Sequence, residues 1–374
     1  MDHPAMPKRT SAIGLWAALL TVYVVWGSTY LGIAIAIETI PPFLMLAIRF
    51  AIAGAVLVGW EVLRGGRGFR LPSAREWRDS AIVGALLLGI GNGFVGLAEE
   101  TVPSGIAAIL IALIPAWFAI FGWLYFRDPL PRLVVAGIAI GLVGVVLLVW
   151  PFGSGANAFD LRGVLILLVA PLGWAHGSLF SARRATLPAR PLMATGLQML
   201  LGSAALAAEG TLTGELARFD VAAISAESLW ALAYLTVIGS LVAFNAYAWL
   251  LRNAPLSLVS TYAYVNPVVA VALGSLVLAE PITPRTLVAS AVIVAAVAMI
   301  VTARGRSARV SGEEPVARAP EPALASPRVF VRGASASANA SGSTAPATGS
   351  ATTSAGGGGG DGPRTLSPRP VPRP

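Results

Sequence analysis

The chain has 374 residues, of which 56% are hydrophobic and only 12% charged, and it carries a formal charge of +8. A soluble domain is roughly one-quarter charged, so this chain lacks the polar residues to coat a water-facing surface, and lipid is the solvent that tolerates the rest. With no cysteine there is no disulfide framework, zinc knuckle or thiol chemistry, and two histidines, His3 and His176, leave almost nothing for a His-based metal site. No cofactor is implied. The basic residues stand in short clusters between apolar runs, not on a basic helical face, which argues against nucleic acid as a partner.

Residues 1–12 form a short N-terminal segment, followed by ten apolar runs at roughly 14–36, 42–63, 79–98, 104–126, 132–150, 160–181, 191–209, 227–250, 256–279 and 285–303. Each is long enough to cross a hydrocarbon core of about 30 Å as a helix, and inside lipid every backbone N–H and C=O must be satisfied within the segment. The first run is too long for a signal peptide and no small-residue cleavage pattern follows it. With the N-terminus inside and ten crossings, the inside segments hold sixteen Lys and Arg and the outside loops only Arg162, Arg218 and Arg285. That bias places both termini in the cytoplasm. From residue 304 to 374 the composition turns to Ala, Ser, Pro, Gly and Arg, which cannot bury enough apolar area to order itself, and the expectation is a disordered cytoplasmic tail.

The two halves resemble each other. Pro103-Ser104-Gly105, Pro115, Gly122 and Asp128-Pro129 recur as Pro255-Leu256-Ser257, Pro267, Gly274 and Glu280-Pro281 at a constant offset of 152 residues. Five spans per half is an odd number, so the second half is inverted relative to the first, the signature of alternating-access secondary transporters. The expected fold is therefore all-α integral membrane, ten transmembrane helices in two inverted repeats, 13–152 and 153–303. Pro115 and Pro267 interrupt corresponding spans and free the carbonyls of Ile111 and Ala263. They read either as packing kinks or as helix breaks that mark a substrate site.

Several motifs then carry a resemblance. Trp26-Gly27-Ser28-Thr29-Tyr30, Arg49-Phe50, Gly91-Asn92-Gly93, the stretch from Val102 to Ala108 and the stretch from Tyr262 to Val268 resemble the EamA-type family of the drug/metabolite transporter superfamily, in its YedA-like branch. The resemblance covers about residues 13–303. It implies two five-helix repeats around a central cavity and export of amino acids, other metabolites or drug-like compounds across an inner membrane.

Arg49 is the one basic residue inside a span, where it needs an interior partner. Glu38, Glu99 and Glu100 are on its side of the membrane, so it reads as a structural ion pair or as a group that orients a substrate carboxylate. His176 is the intramembrane group that titrates nearest neutrality, so it is a candidate for a coupling proton, or a hydrogen-bonded packing residue. Trp26, Ser28, Tyr30, Asn92, Trp117, Asn245, Tyr262 and Asn266 complete the candidate cavity wall, the last two sharing a helix face at a spacing of four. Trp16, Trp60, Trp77, Trp150 and Trp230 fit an interfacial belt. The leading reading is a secondary transporter of a small organic solute, with membrane lipid as its surroundings. A receptor or scaffold, and a facilitative channel, are the alternatives. A membrane enzyme is disfavoured because no HExxH, nucleophile elbow or phosphate loop is present.

Overall fold

The computed structural model describes residues 12–66, 70–149, 160–254, 256–259 and 261–310. The junction expected at 152–153, nearly all of the N-terminal segment and most of the tail lie outside these residues, as does Trp150.

Every element among the described residues is helical. Helices α1 (Ala12–Ala36) and α2 (Pro42–Gly65) come first. Helix α3 runs as Ala74–Gly84, a π-helical segment Ala85–Gly93, and Phe94–Glu99. Next come α4 (Ser104–Ile111), α5 (Ile114–Phe126), α6 (Arg132–Val149), α7 (Leu161–Arg183), α8 (Pro191–Leu212) and the short α9 (Glu215–Arg218). Helix α10 runs as Ala226–Tyr234, a second π-helical segment Leu235–Val242, and Ala243–Asn253. Helices α11 (Leu256–Val259), α12 (Tyr262–Leu278) and α13 (Pro284–Val310) complete the set. With α4 and α5 taken together, nine spans among the described residues are long and apolar enough to cross a membrane, and α12 is a shorter apolar helix of 17 residues. Helix α13 continues past residue 303, where the tail was expected to begin.

Local chemistry explains several of these boundaries, often in matched pairs. Pro42 and Pro191 stand in the first turns of α2 and α8, where a missing N–H is harmless and φ is already helical. Ser73 caps α3 in a capping box with Glu76, and Ser225 caps α10 by accepting from the Ser228 amide at 3.1 Å. Helices α5 and α12 both end on a left-handed residue, Arg127 at φ 58° and Ala279 at φ 53°. The following amides, of Asp128 and Glu280, turn back to donate to the Gly122 and Gly274 carbonyls, each at 3.2 Å.

The two prolines behave differently from each other. The chain breaks at Ala112 and Leu113, and Pro115 opens α5. Pro267, by contrast, lies inside an unbroken α12, so the helix break expected there is absent. A lost hydrogen bond is tolerated in a membrane helix whose neighbours cover the freed carbonyl. The interruption in the run expected at 256–279 falls upstream instead, between α11 and α12. There Thr261 turns its hydroxyl back to donate to the Leu258 carbonyl at 2.5 Å, satisfying locally a backbone group that a continuous helix would have used.

Helix pairings repeat between the halves. Helix α2 packs along α8, and α6 along α13. Helix α3 packs on α7 and α8, as α10 packs on α1 and α2. Helix α1 lies against α12 as α7 lies against α4 and α5, and α4 meets α12. Small residues set the closest approaches: a Cβ on Gly54 would lie 2.8 Å from the Gly196 carbonyl oxygen, and one on Gly84 would overlap the Gln198 carbonyl. Gly137 and Gly144 similarly admit Ile300 and Ile293 of α13, so this glycine stripe packs within one chain. Trp16, Trp60, Trp77 and Trp230 are exposed on the outside of the bundle.

Polar contacts cluster at two ends. At one, Glu215 is fully buried and accepts from the Phe43 and Leu44 amides at 3.2 and 2.9 Å, and the Ser225 amide donates to Thr39 Oγ1. Burial pushes the Glu215 carboxyl up, against the lowering effect of those two amides. At the other, Arg183 forms a two-pronged pair with Asp128 at 2.9 and 2.6 Å, and the Thr186 amide donates to Asp79.

Candidate functional site

The site is built on the π-helical segments. A π-turn widens the helix and leaves a carbonyl out of register, and such turns recur at functional positions. Here side chains take up the displaced carbonyls: Asn92 Nδ2 donates to Leu87 O at 3.2 Å, Ser240 Oγ to Leu235 O at 3.1 Å, and Asn245 Nδ2 to Leu241 O at 2.6 Å. Each segment also presents a glycine to a charged side chain of a neighbouring helix. Gly239 faces Arg49 of α2, and Gly89 faces Glu209 of α8.

Arg49 is 3% exposed. Its Nε donates to Ser240 Oγ at 2.9 Å and its guanidinium lies 4.8 Å from the Phe50 ring centroid. Nη1 has no hydrogen-bond partner among the described residues, and none of the ion pairs there includes Arg49. The carboxylate partners considered at Glu38, Glu99 and Glu100 are therefore replaced by a hydroxyl. Ser240 spans the two roles: it accepts from Arg49 and donates to the π-segment carbonyl, which fixes the arginine to the irregular backbone. Beside it Ser28 Oγ shares a hydrogen with Tyr234 Oη at 2.5 Å, and Thr29 approaches Gly239. A buried cation with an unused donor has the chemistry to pair with an anionic group.

A second group of candidates forms an aromatic box between α1, α10 and α12. Trp26 meets Phe244, Tyr247 and Tyr262 at centroid distances of 5.5, 4.8 and 5.1 Å. Asn266 is buried, and with its amide correctly oriented it donates to the Tyr262 and Tyr23 carbonyls, each at 3.2 Å. Tyr23 hydrogen-bonds Thr261. A third group joins α5 and α7: Trp117 stacks on Phe121, whose ring lies 4.0 Å from the His176 ring. His176 Nδ1 donates to Leu172 O at 3.0 Å and Nε2 pairs with Tyr125 Oη at 2.8 Å, so both nitrogens of a neutral imidazole are satisfied. Tyr30, one turn along α1 from Trp26, packs against the main core with Glu99 and Tyr262 as electrostatic neighbours.

The candidates thus fall into an Arg49 pocket, an aromatic box at Trp26 with Tyr30 and Glu99 beside it, and a second box at His176, while Asn92 stays on its own π-segment. Sequence reasoning missed Tyr234, Ser240, Phe244 and Tyr247. Gly239-Ser240 within an apolar run was the available signal for the second π-segment, but its partner on α2 lies 191 residues away.

The model of the EamA-like transporter family matches residues 12–150 and again 161–302. The chain belongs to this family. It is 39% identical over 288 residues to the uncharacterized inner membrane transporter YedA of Escherichia coli K12, covering 76% of this chain and 90% of that one. It is 26% identical over 318 residues to a protein of Salmonella typhimurium named a probable amino-acid metabolite efflux pump, covering 78% and 97% respectively. A crystal structure of a chain 22% identical superposes with a TM-score of 0.54 over 79% of this chain and 99% of that one, which establishes the likeness of fold. The EamA-type chain is accordingly a multi-pass inner-membrane transporter of the drug/metabolite type.

Proposed function

We propose that this protein is an alternating-access secondary transporter that exports a small organic solute bearing a carboxylate, amino acid-like or drug-like in size. The observation that carries the reading is Arg49, a buried guanidinium with an unused donor, anchored to a π-segment between α1, α2 and α10. A lipid-facing arginine is unfavourable by about 2.5–3.5 kcal/mol near the bilayer centre, so a cation placed there without a carboxylate partner has its partner supplied by the cargo. Export accords with the name of the Salmonella relative.

On this reading the chain crosses the membrane ten times, α12 with α11 being the ninth crossing, and both termini are cytoplasmic. Two observations support it. The family model matches twice along the chain, and the helix pairings repeat between the halves. The loop contacts agree with the alternation: Glu215 with the start of α2, and Arg183 with Asp128, each join segments assigned to one side. Two similar units of opposite orientation exchange roles in the two states of the cycle. The protein works without catalysis, energy coming from a gradient.

Counterflow in proteoliposomes tests the reading. Vesicles loaded with a mixed pool of amino acids and neutral metabolites release the transported solute selectively over empty vesicles. Arg49→Gln depresses release of carboxylate solutes at least tenfold more than that of neutral ones. Equal loss for both classes, at normal expression, removes Arg49 from recognition, and no release of any solute favours the receptor or scaffold reading.

A further inference from the structure

Two carboxyls at one end of the bundle are electrostatic neighbours under opposite conditions. Glu280 lies just beyond α12 and accepts from the Ser104 and Gly105 amides at 2.8 and 3.1 Å. These are the first amides of α4, where orphan N–H groups and the helix dipole favour a negative charge. An ionised carboxylate suits that position, because it only accepts. Glu99, the last residue of α3, is 8% exposed, and neither of its oxygens has a hydrogen-bond partner among the described residues. An ionised carboxylate buried without a partner is unfavourable by several kcal/mol, whereas a neutral acid is tolerated there. Glu280 and Tyr30 are its electrostatic neighbours, so a second negative charge would also meet the first.

Among the described residues no cation pairs with Glu99. Helix α1 contributes Tyr30, and α4 has no titratable side chain. The arginine of α2 that lies in this part of the bundle, Arg49, is held on Ser240, Arg162 is exposed in the first turn of α7, and the neighbouring Glu100 is exposed. Glu209 of α8 faces Gly89 and Gly93 of the π-segment below. Next to Glu280 lies a cavity of about 20 Å³, lined by Pro103, Gly105, Val271 and Thr286 and bordered by the exposed Ile282. That volume holds one water molecule, a step between the surface and the carboxyl pair. Pairs of acids whose environments drive them apart are how proteins separate a proton-holding group from an ionised one.

We propose that Glu99 binds the coupling proton of the transport cycle, with Glu280 as its ionised partner; this rests on the transport reading above. Neutral Glu99 permits the closed end seen here, in which Glu280 joins α12 to α4. Loss of the proton sets two carboxylates against each other in a medium of low dielectric and separates that end. Protonation and opening are thereby linked through one contact. In this scheme the proton rests on Glu99 and not on His176, whose two nitrogens are hydrogen-bonded to Leu172 O and Tyr125 Oη.

Infrared spectroscopy of the full chain in liposomes tests the proton site without any substrate, by titration from about pH 5 to about pH 9. The wild type shows the C=O stretch of a non-hydrogen-bonded carboxylic acid at neutral pH. Glu99→Gln lacks it, Glu99→Asp shifts it, and Glu280→Gln keeps it. With Glu209, the other carboxyl among the described residues that has a buried unpartnered oxygen, replaced by Gln in every sample, a band that survives in Glu99→Gln overturns the proposal, and Glu99→Asp decides the matter should the glutamine variant not fold. A transport arm compares the flux of a labelled amino-acid pool with and without an imposed pH gradient. The gradient stimulation seen in the wild type disappears in Glu99→Gln and is retained in Glu99→Asp. Stimulation undiminished in Glu99→Gln, or a wild type driven by a sodium gradient and indifferent to pH, also overturns it. Absence of flux in the wild type refutes the transport reading instead, and the infrared result still decides whether Glu99 holds a proton.

Discussion

Glu280→Gln weakens the contact that joins α12 to α4 while leaving its shape intact. The carboxylate accepts two amide hydrogens, at 2.8 and 3.1 Å. Hydrogen bonds to a charged acceptor contribute about 1.5–3 kcal/mol each and neutral ones about 1. Glutamine keeps one acceptor oxygen and turns an NH₂ toward the second amide, so one bond is lost and the other weakened, a net loss of at least about 2 kcal/mol. On the scale of about 1.4 kcal/mol per factor of ten, the separated state gains at least roughly 30-fold. The chain has no cysteine, so Ile106→Cys supplies a single thiol next to this contact. Ile106 is 4% exposed and reports opening, whereas Ile282, 41% exposed, gives a reference thiol, Ile282→Cys, that is accessible throughout. Labelling of Ile106→Cys by a membrane-impermeant maleimide accelerates by at least roughly 30-fold when Glu280→Gln is added, and labelling of Ile282→Cys does not change. Equal rates at Ile106→Cys with and without the second substitution would show that the contact does not govern this end.

Gly84→Ala forces a methyl onto the Gln198 carbonyl and lowers stability by about 1–3 kcal/mol, read as a lower Tm in detergent, while Gly59→Ala, with open space around it, has no such effect. His176→Gln leaves the pH dependence of transport unchanged, since the imidazole is already satisfied by Leu172 and Tyr125; a displaced pH profile would return it to the mechanism. Asp128→Asn removes a partly exposed ion pair to Arg183 and lowers stability by no more than about 1 kcal/mol, checked by the same thermal assay. Glu215 has its carboxyl raised in the folded state, so the unfolded chain loses this proton first. Stability contributed through Glu215 therefore falls as pH rises from the unfolded value of about 4.3 through the raised folded value, and Glu215→Gln flattens that part of the pH–Tm curve.

The membrane character, the helix positions and the internal repeat were legible in the sequence, because each depends on features a single segment carries. Length and apolarity decide whether a run can satisfy its backbone within lipid, and a repeated Gly, acid and Pro at one offset needs no partner to be seen. The matched left-handed ends at Arg127 and Ala279 follow the same logic, since the motif that makes them is local. The site was legible only as a list of polar and aromatic residues. That Arg49 rests on Ser240, that Glu99 has no hydrogen-bond partner among the described residues while Glu280 has two amides, and that His176 bridges Leu172 and Tyr125 are facts of packing. The break beside Thr261 and the unbroken helix through Pro267 belong there too, because a freed carbonyl is tolerated or not according to what neighbouring helices bring to it. In a chain this apolar, most side chains suit either lipid or the interior, so the sequence by itself determined the helices and their repetition. The tertiary structure decided which few polar groups were buried without partners, since an unpaired charge is defined by what surrounds it.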